Sequence, residues 1–260
     1  MKGLYLNPSR GAMKSNWIFV TLVAALIMLS CKTTVLVPVR LYYTSYPVAN
    51  NTKADTAILQ MLSPYRDSIN KALNKVIGFA TATLMKKQPE SPLGNFLADA
   101  IKHQAELTFG RKVDAAFINP GGIRSFIPKG EITIGKMYEL MPFDNLIVLQ
   151  EVSGQVLKRF LDHTAASGGW PVNGITMLLR NRKAENVLVG GKPIEDSATY
   201  IIANSDYVAG GGDDTEMLRG IPQVSKGYLM RDAFIDYIKQ HTAQGKAITA
   251  SIQNRVSYGN

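Results

Sequence analysis

The hydrophobic pattern after residue 51 changes repeatedly between helical and extended spacing. Apolar residues recur at three- and four-residue steps in segments 52–74, 91–103, 154–166 and 228–240, which predicts a helix in each. Pro64 is expected to break or kink the first of them. Short apolar runs predict strands at 76–84, 113–118, 130–134, 146–152, 175–180, 187–189, 200–204 and near 248–256. Helices and strands are interspersed without a strict βαβ order, so we predict an α/β fold of the α+β type, a single mixed-sheet domain with flanking helices over residues 52–257.

The amino-terminal segment has the pattern of an export signal. Lys14 precedes thirteen largely apolar residues, 17–29, which is short for a membrane-spanning helix of about 20 residues. A basic residue, a short apolar segment and the small residue Ser30 predict a secretory signal peptide over residues 1–30, and Met13 is an alternative start.

The only cysteine of the chain, Cys31, follows that segment directly. This placement resembles the bacterial lipoprotein signal, in which the cysteine is lipidated and becomes the mature amino terminus. A free thiol is the alternative. The resemblance implies an exported protein, lipid-anchored to a bacterial membrane in the periplasm or at the cell surface, with residues 31–51 as a tether.

The net charge of +9 does not indicate a nucleic acid partner. Lys2, Arg10 and Lys14 lie in residues 1–30, which contain no acidic residue, so the remaining chain carries +6. Its basic residues are dispersed among 20 acidic ones, and no basic run is interleaved with aromatic residues. We therefore expect no binding of a nucleic acid polymer.

Sequence motifs for catalysis are missing from the chain. His103, His163 and His241 are far apart and form no His-x-His or His-Glu-x-x-His pair, which argues against a catalytic metal site. No Gly-x-Ser-x-Gly motif is present, and the glycine cluster before Asp213 lacks the lysine of a phosphate-binding loop. The sequence thus predicts no catalytic residue and no metal ligand.

A glycine-rich turn follows the predicted strand 113–118 without a spacer. In the segment Asn119-Pro-Gly-Gly-Ile-Arg124, the two glycines permit positive φ and close approach of a ligand to the backbone. Arg124 offers a planar set of donors to oxygen atoms. A plain tight turn between two strands fits the same six residues equally well.

Two aromatic residues stand beside turns of this kind. Phe143 follows a proline and precedes Asp144-Asn145, and Tyr207 precedes the glycine cluster that ends at Asp213. Two such rings could clamp a flat ligand, with Asp213 accepting hydrogen bonds from vicinal hydroxyls. For Phe143, ordinary core packing is the commoner reason for an apolar ring.

Five segments, taken in order, resemble the C-terminal domain of the 5'-nucleotidase family, which includes the UDP-sugar hydrolases. The resemblance covers roughly residues 70–257 and implies that the domain binds the nucleoside part of a nucleotide. The five segments are Leu93-Gly-Asn-Phe-Leu-Ala-Asp99, Asn119-Pro-Gly-Gly-Ile-Arg124, Pro142-Phe-Asp-Asn145, Gly168-Gly-Trp-Pro-Val172 and Asn204-x-x-Tyr207-x-x-Gly-Gly-Gly-Asp213.

The resemblance also implies roles for individual residues. Phe143 and Tyr207 are the two rings that sandwich the base. The side chains that hold base, ribose and phosphate oxygens are Asn119, Arg124, Asn145 and Asp213, and Gly168 lies in the loop beside the base.

The chain departs from the family pattern at four positions. Pro120 removes a backbone donor from the glycine turn, and Tyr207 adds a hydroxyl where phenylalanine is usual. Asp214 replaces a usual glycine and adds charge near the ribose. Asn95 stands where some members have arginine, so part of the cationic clamp on phosphate is expected to be missing.

Enzymes of the family also carry an amino-terminal metallophosphatase domain, whose two metals activate water. Only a short segment after Cys31 stands in its place here. The resemblance therefore implies no cofactor in this chain, divalent metals in a separate metallophosphatase chain, and a split 5'-nucleotidase in which this chain supplies substrate specificity. One alternative is a lipoprotein that captures nucleosides without catalysis. Another is a degenerate domain kept for protein–protein contact. The retention of both rings, Arg124 and Asp213 argues against this alternative.

Overall fold

A computed structural model of the chain describes residue 20, residues 43–46 and residues 55–259. The predicted signal peptide, Cys31 and most of the tether lie outside the described residues and remain predictions. Asp55–Asn260 forms one compact unit. Among the helices that the structure describes, none combines the length and the apolar character that crossing a membrane requires.

The described residues form six α-helices, and their ends carry recognisable capping residues. Ser91 Oγ accepts a hydrogen bond from Gly94 N at 3.1 Å, and Gly110 ends the same helix at φ 65°. Ser153 caps a later helix in the same way through Val156 N. The helices are α1 (Thr56–Leu73), α2 (Pro92–Phe109), α3 (Ile134–Leu140), α4 (Gly154–Ala166), α5 (Asp206–Ala209) and α6 (Met230–Ala243).

Eleven strands in the described part of the chain are divided among three sheets. They are β1 (Val76–Ala80), β2 (Ala115–Phe117), β3 (Gly130–Thr133), β4 (Leu146–Ser153), β5 (Val172–Asn173), β6 (Ile175–Arg180), β7 (Lys183–Val189), β8 (Lys192–Pro193), β9 (Thr199–Ser205), β10 (Gln223–Leu229) and β11 (Val256–Tyr258). The sheet orders are β1-β3, β10-β4-β9-β2-β5 and β11-β6-β7-β8. Parallel and antiparallel pairs occur together in the two larger sheets, since β9 runs parallel to β2 and antiparallel to β4. The predicted mixed α/β class with flanking helices is confirmed.

The five-stranded sheet separates two hydrophobic cores. Successive side chains of β2 point to opposite faces, and all three of its residues are buried. Ala116 belongs to the core that also contains Leu97 of α2 and Phe234 of α6. Phe117 belongs to the other core, where its ring meets Phe160 of α4 edge to face at 4.9 Å between centroids. Covering both faces fixes the sheet and therefore the positions of the loops at its edge.

The structure departs from the local predictions at three places. Helix α1 is not broken at Pro64 and continues to Leu73. The strand expected near 248–256 is a shorter β11, and Ile248 forms only an isolated bridge with Ala80. Strand β10 was not predicted, because its residues are mostly exposed and contain no apolar run. It includes Tyr228, from which the last helix was expected to start, and that helix begins at Met230 instead.

Candidate functional site

A cavity of about 330 Å³ opens where three loops meet at one end of the five-stranded sheet. The carboxyl ends of the parallel strands β2 and β9 lead into two of these loops, and the loop before β4 is the third. Pairing of Ile147 with Ser205 brings the third loop beside the second. The lining residues are Asn119, Gly121, Gly122, Arg124, Phe143, Asn145, Tyr207 and Asp213.

The first loop forms a short 3-10 turn, Pro120–Gly122, rather than the positive-φ turn expected from its glycines. Gly122 is required for space, because a Cβ there would lie 2.9 Å from Asn119 Oδ1. Lys86 Nζ holds the turn from outside by donating hydrogen bonds to the carbonyl oxygens of Pro120 at 2.9 Å and Ile123 at 2.8 Å.

Arg124 stands at the end of this turn with an exposed side chain. Its backbone N–H donates to Leu140 O at 2.9 Å, which ties the turn to α3. The guanidinium donates one hydrogen bond, to Gly121 O at 3.3 Å, and its Cζ lies 6.0 Å from the centre of the Phe143 ring. A guanidinium has five N–H donors, so most of them are available to a ligand in the cavity.

Phe143 and Tyr207 both line the cavity with large exposed fractions, 44% and 47%. Core packing, the commoner role for an apolar ring, therefore does not apply to Phe143. The two loops are joined through Asp206, whose carboxylate accepts hydrogen bonds from Leu146 N at 3.0 Å and Tyr207 N at 2.9 Å.

Tyr207, Asp213 and Asn119 form a hydrogen-bonded group on one wall. The Tyr207 hydroxyl donates to Asp213 Oδ1 at 2.9 Å, and Asn119 Nδ2 donates to Asp213 Oδ2 at 2.6 Å. The hydrogen bond to this carboxylate raises the pKa of Tyr207 above its ordinary value, because it stabilises the protonated hydroxyl. The Tyr207 ring lies against the backbone of Gly212, where a Cβ would overlap it.

Gly168 does not line this cavity. It has a φ of 88°, and a Cβ there would meet the side-chain amide of Gln88 at 3.3 Å. That amide donates to Ser167 O at 2.7 Å and Gly169 O at 2.8 Å, so it fixes the loop beside a neighbouring cavity of about 320 Å³. The two cavities share Gly121 and Asp213, which is how the Gly168 loop comes to lie next to the first cavity without entering it.

Two departures from the family pattern also have defined positions. Asn95 is buried, with Nδ2 donating to Glu90 Oε1 at 2.6 Å and Ser251 O at 2.9 Å, and it does not line the cavity. Asp214 is exposed at φ 60° and borders the neighbouring cavity. The added charge of Asp214 therefore lies next to Asp213 but outside the first cavity.

The histidines do not come together. His163 lies on α4, where its Nε2 is 2.8 Å from Asp213 O and donates to that carbonyl. His103 is exposed on α2, and His241 Nδ1 contacts Tyr237 O at 3.0 Å. Within the described residues, no three His, Cys, Asp or Glu side chains are grouped so that they could hold a metal ion.

Fold and cavity together define a ligand-binding domain whose cavity offers two aromatic rings, a guanidinium and a carboxylate. The sequence profile described as "5'-nucleotidase, C-terminal domain" matches residues 73–220. The chain belongs to this family.

Individual relatives agree with this assignment. A 5'-nucleotidase of Vibrio vulnificus is 28% identical over 206 residues, covering 75% of this chain and 36% of the relative. A trifunctional nucleotide phosphoesterase protein of Bacillus subtilis is 27% identical over 235 residues, covering 81% of this chain and 16% of the relative. The crystal structure of a 5'-nucleotidase precursor from Thermus thermophilus superposes with a TM-score of 0.68 at 28% identity, over 77% of this chain and 43% of that one. The chain thus spans less than half of the length of each of these relatives.

The structure brings six of the seven predicted binding residues to one cavity and leaves Gly168 outside it. Sequence reasoning missed Lys86 and Gln88, which hold the Pro120–Gly122 turn and the Gly168 loop through backbone carbonyls. No local pattern marks them, because each acts on a loop at least 34 residues away in the chain.

Proposed function

We propose that this chain binds a nucleotide or nucleoside and supplies substrate specificity to a separate metallophosphatase chain, as half of a split 5'-nucleotidase. The observation that carries the proposal is the pair of half-exposed rings, Phe143 and Tyr207, lining one cavity with Arg124 and Asp213. This combination suits a ligand with a flat apolar part, hydroxyls and an anionic group.

The two rings are suited to the base. An exposed apolar ring at a cavity wall loses contact with water when a base covers it, and stacking contributes about 1–3 kcal/mol per ring. Asn145, partly exposed beside Phe143, offers both an amide donor and a carbonyl acceptor to the base edge.

The polar wall is suited to the sugar and the phosphate. Asp213 accepts one hydrogen bond on each carboxylate oxygen, from Tyr207 and Asn119, and a carboxylate has about four acceptor positions. The remaining positions can accept hydrogen bonds from vicinal ribose hydroxyls. Arg124 can meet phosphate oxygens with its guanidinium donors.

As part of this proposal we assign hydrolysis to another chain, because the family profile that matches residues 73–220 describes the C-terminal domain. The match to the Vibrio 5'-nucleotidase covers 36% of that relative. Divalent metals and the attacking water would then belong to the partner metallophosphatase.

Phosphate release from AMP in the presence of Mn²⁺ tests this division of labour. We expect the purified chain to bind AMP without releasing phosphate, and a metallophosphatase from the same genome to gain AMP hydrolysis when the chain is added. A gain that disappears with Phe143→Ala would tie it to this cavity. Binding without any effect on metallophosphatases would instead favour a lipoprotein that captures nucleosides.

We further propose that the chain is exported and anchored through a lipid on Cys31. The support is the sequence order of Lys14, the apolar segment 17–29 and Cys31. Radiolabelled palmitate should be incorporated into the wild-type protein and not into Cys31→Ser. Equal labelling of both proteins would refute lipidation at this position.

A further inference from the structure

The loop that presents Phe143 is held by a buried arginine of α6. We propose that Arg231 is a positioning residue for the Phe143 ring, so that the strength of base binding depends on a side chain that does not line the cavity. This inference rests on the proposed nucleotide-binding function and adds a determinant of base affinity to it.

Arg231 makes hydrogen bonds to three positions of the loop. Its Nη1 donates to Met141 O at 3.1 Å and to Phe143 O at 3.3 Å, and its Nη2 donates to Asp144 Oδ1 at 2.6 Å. The Arg231 side chain is only 6% exposed, whereas that of Asp144 is 78% exposed. A fork of donors from one fixed guanidinium therefore sets the path of the backbone on both sides of the ring.

Arg231 is itself fixed by its surroundings. Its Cζ lies 4.1 Å from the centre of the Tyr138 ring on α3, a stacking distance for a guanidinium. The next residue back, Met230, donates its backbone N–H to Asn145 O at 2.8 Å. The start of α6 thus holds the loop from Met141 to Asn145 at both ends.

Burial does not place the Phe143 ring, because nearly half of it is exposed. Its position therefore follows from the backbone that carries it, and that backbone is fixed mainly through Arg231. Stacking needs the ring close to the base and parallel to it, and a site loses strength when its supporting side chains leave it loose. Loss of Arg231 should weaken contacts with the base and spare contacts with phosphate.

A double-mutant cycle between Arg231→Met and Phe143→Ala tests the inference, with adenosine and ribose 5-phosphate as ligands for the full-length chain in detergent. Arg231→Met should weaken adenosine binding roughly tenfold, within the range that stacking supplies. Ribose 5-phosphate affinity should not change. In the Phe143→Ala background, Arg231→Met should have no further effect on adenosine, because the ring that it positions is gone.

Arg255→Met is a matched control. Arg255 is also buried, and its Nη1 contacts Asp99 Oδ1 at 2.6 Å and Val172 O at 3.0 Å, but it does not line the cavity or contact the Phe143 loop. Removing it should lower stability and leave adenosine affinity unchanged in the folded protein. Asp144→Ala, at an exposed carboxylate, is a milder second variant that removes one of the three loop contacts without endangering the fold.

The outcomes separate the inference from the proposed function. If the wild-type chain binds no nucleoside, both are overturned. If it binds, but Arg231→Met and Asp144→Ala weaken adenosine equally with and without the Phe143 ring, only the inference is overturned. Equal losses for adenosine and ribose 5-phosphate would also overturn it.

Discussion

Gly212→Ala should weaken nucleoside binding by displacing Tyr207. Gly212 has no positive φ, so alanine introduces no backbone strain there. The new Cβ would lie 2.5 Å from Tyr207 Cε1 and 2.6 Å from Cε2, well inside van der Waals contact. Since the backbone of the turn is fixed by the Thr215 hydroxyl, which donates to the carbonyl oxygens of Gly212 and Val208, the ring is the part that must move.

The expected size of the effect follows from what the ring contributes. A displaced Tyr207 loses its stacking on the base, about 1–3 kcal/mol, which corresponds to an about 5- to 150-fold weaker affinity for adenosine. It also loses the hydrogen bond from its hydroxyl to Asp213. Isothermal titration calorimetry of adenosine binding to the purified variant measures the change.

Tyr207→Ala provides the background that isolates this mechanism. The three atoms nearest to the new Cβ all belong to the Tyr207 ring, so Gly212→Ala should cost little once the ring is absent. Equal losses of affinity from Gly212→Ala in the wild-type and Tyr207→Ala backgrounds would refute the steric argument.

Three further perturbations test other parts of the structure. Arg124→Ala should weaken AMP more than adenosine, because its guanidinium is assigned to phosphate oxygens; equal losses by calorimetry would place it elsewhere. Gly154→Ala should lower the free energy of unfolding in urea by about 1–3 kcal/mol or more. The new Cβ would overlap the carbonyl oxygen of Glu195 and lie 2.7 Å from the carbonyl carbon of that residue. Unchanged stability would contradict this packing. Burial raises the pKa of Tyr228 far above 10, and its hydrogen bond to Asp236 adds to the effect. Because its pKa is raised in the folded state, the protonated Tyr228 hydroxyl contributes stability that is fully present below pH 10 and is lost as the pH rises further. The free energy of unfolding of Tyr228→Phe should therefore fall less than that of the wild type between pH 9 and pH 11.

Much of the fold is predictable because its elements carry strong local signals. Helix α4 has the bounds that its apolar spacing predicts, and Ser91 with Pro92 marks the start of α2. Strand β10 escapes prediction because it is held by backbone pairing with β4 and exposes most of its side chains. Backbone pairing with a distant segment does not by itself leave an apolar pattern in the sequence of β10.

The candidate site likewise contains residues that the sequence predicts and residues that it does not. The rings and Arg124 lie in segments with recognisable residues, and six of the seven predicted positions meet at one cavity. Arg231 and Gln88 could not be found from the sequence, since each bonds to carbonyl oxygens about 80 to 90 residues away. Gly168 was predicted in the loop beside the base, and Gln88 holds that loop beside the neighbouring cavity.

Calorimetric titration of AMP and adenosine into the purified wild-type chain tests the central claim most directly, with the Phe143→Ala, Tyr207→Ala double variant measured beside it. The account predicts that both ligands bind the wild-type chain and that removing both rings weakens them strongly. Absence of binding to the wild-type chain, or equal affinity for the double variant, would contradict the assignment of this cavity to a nucleoside.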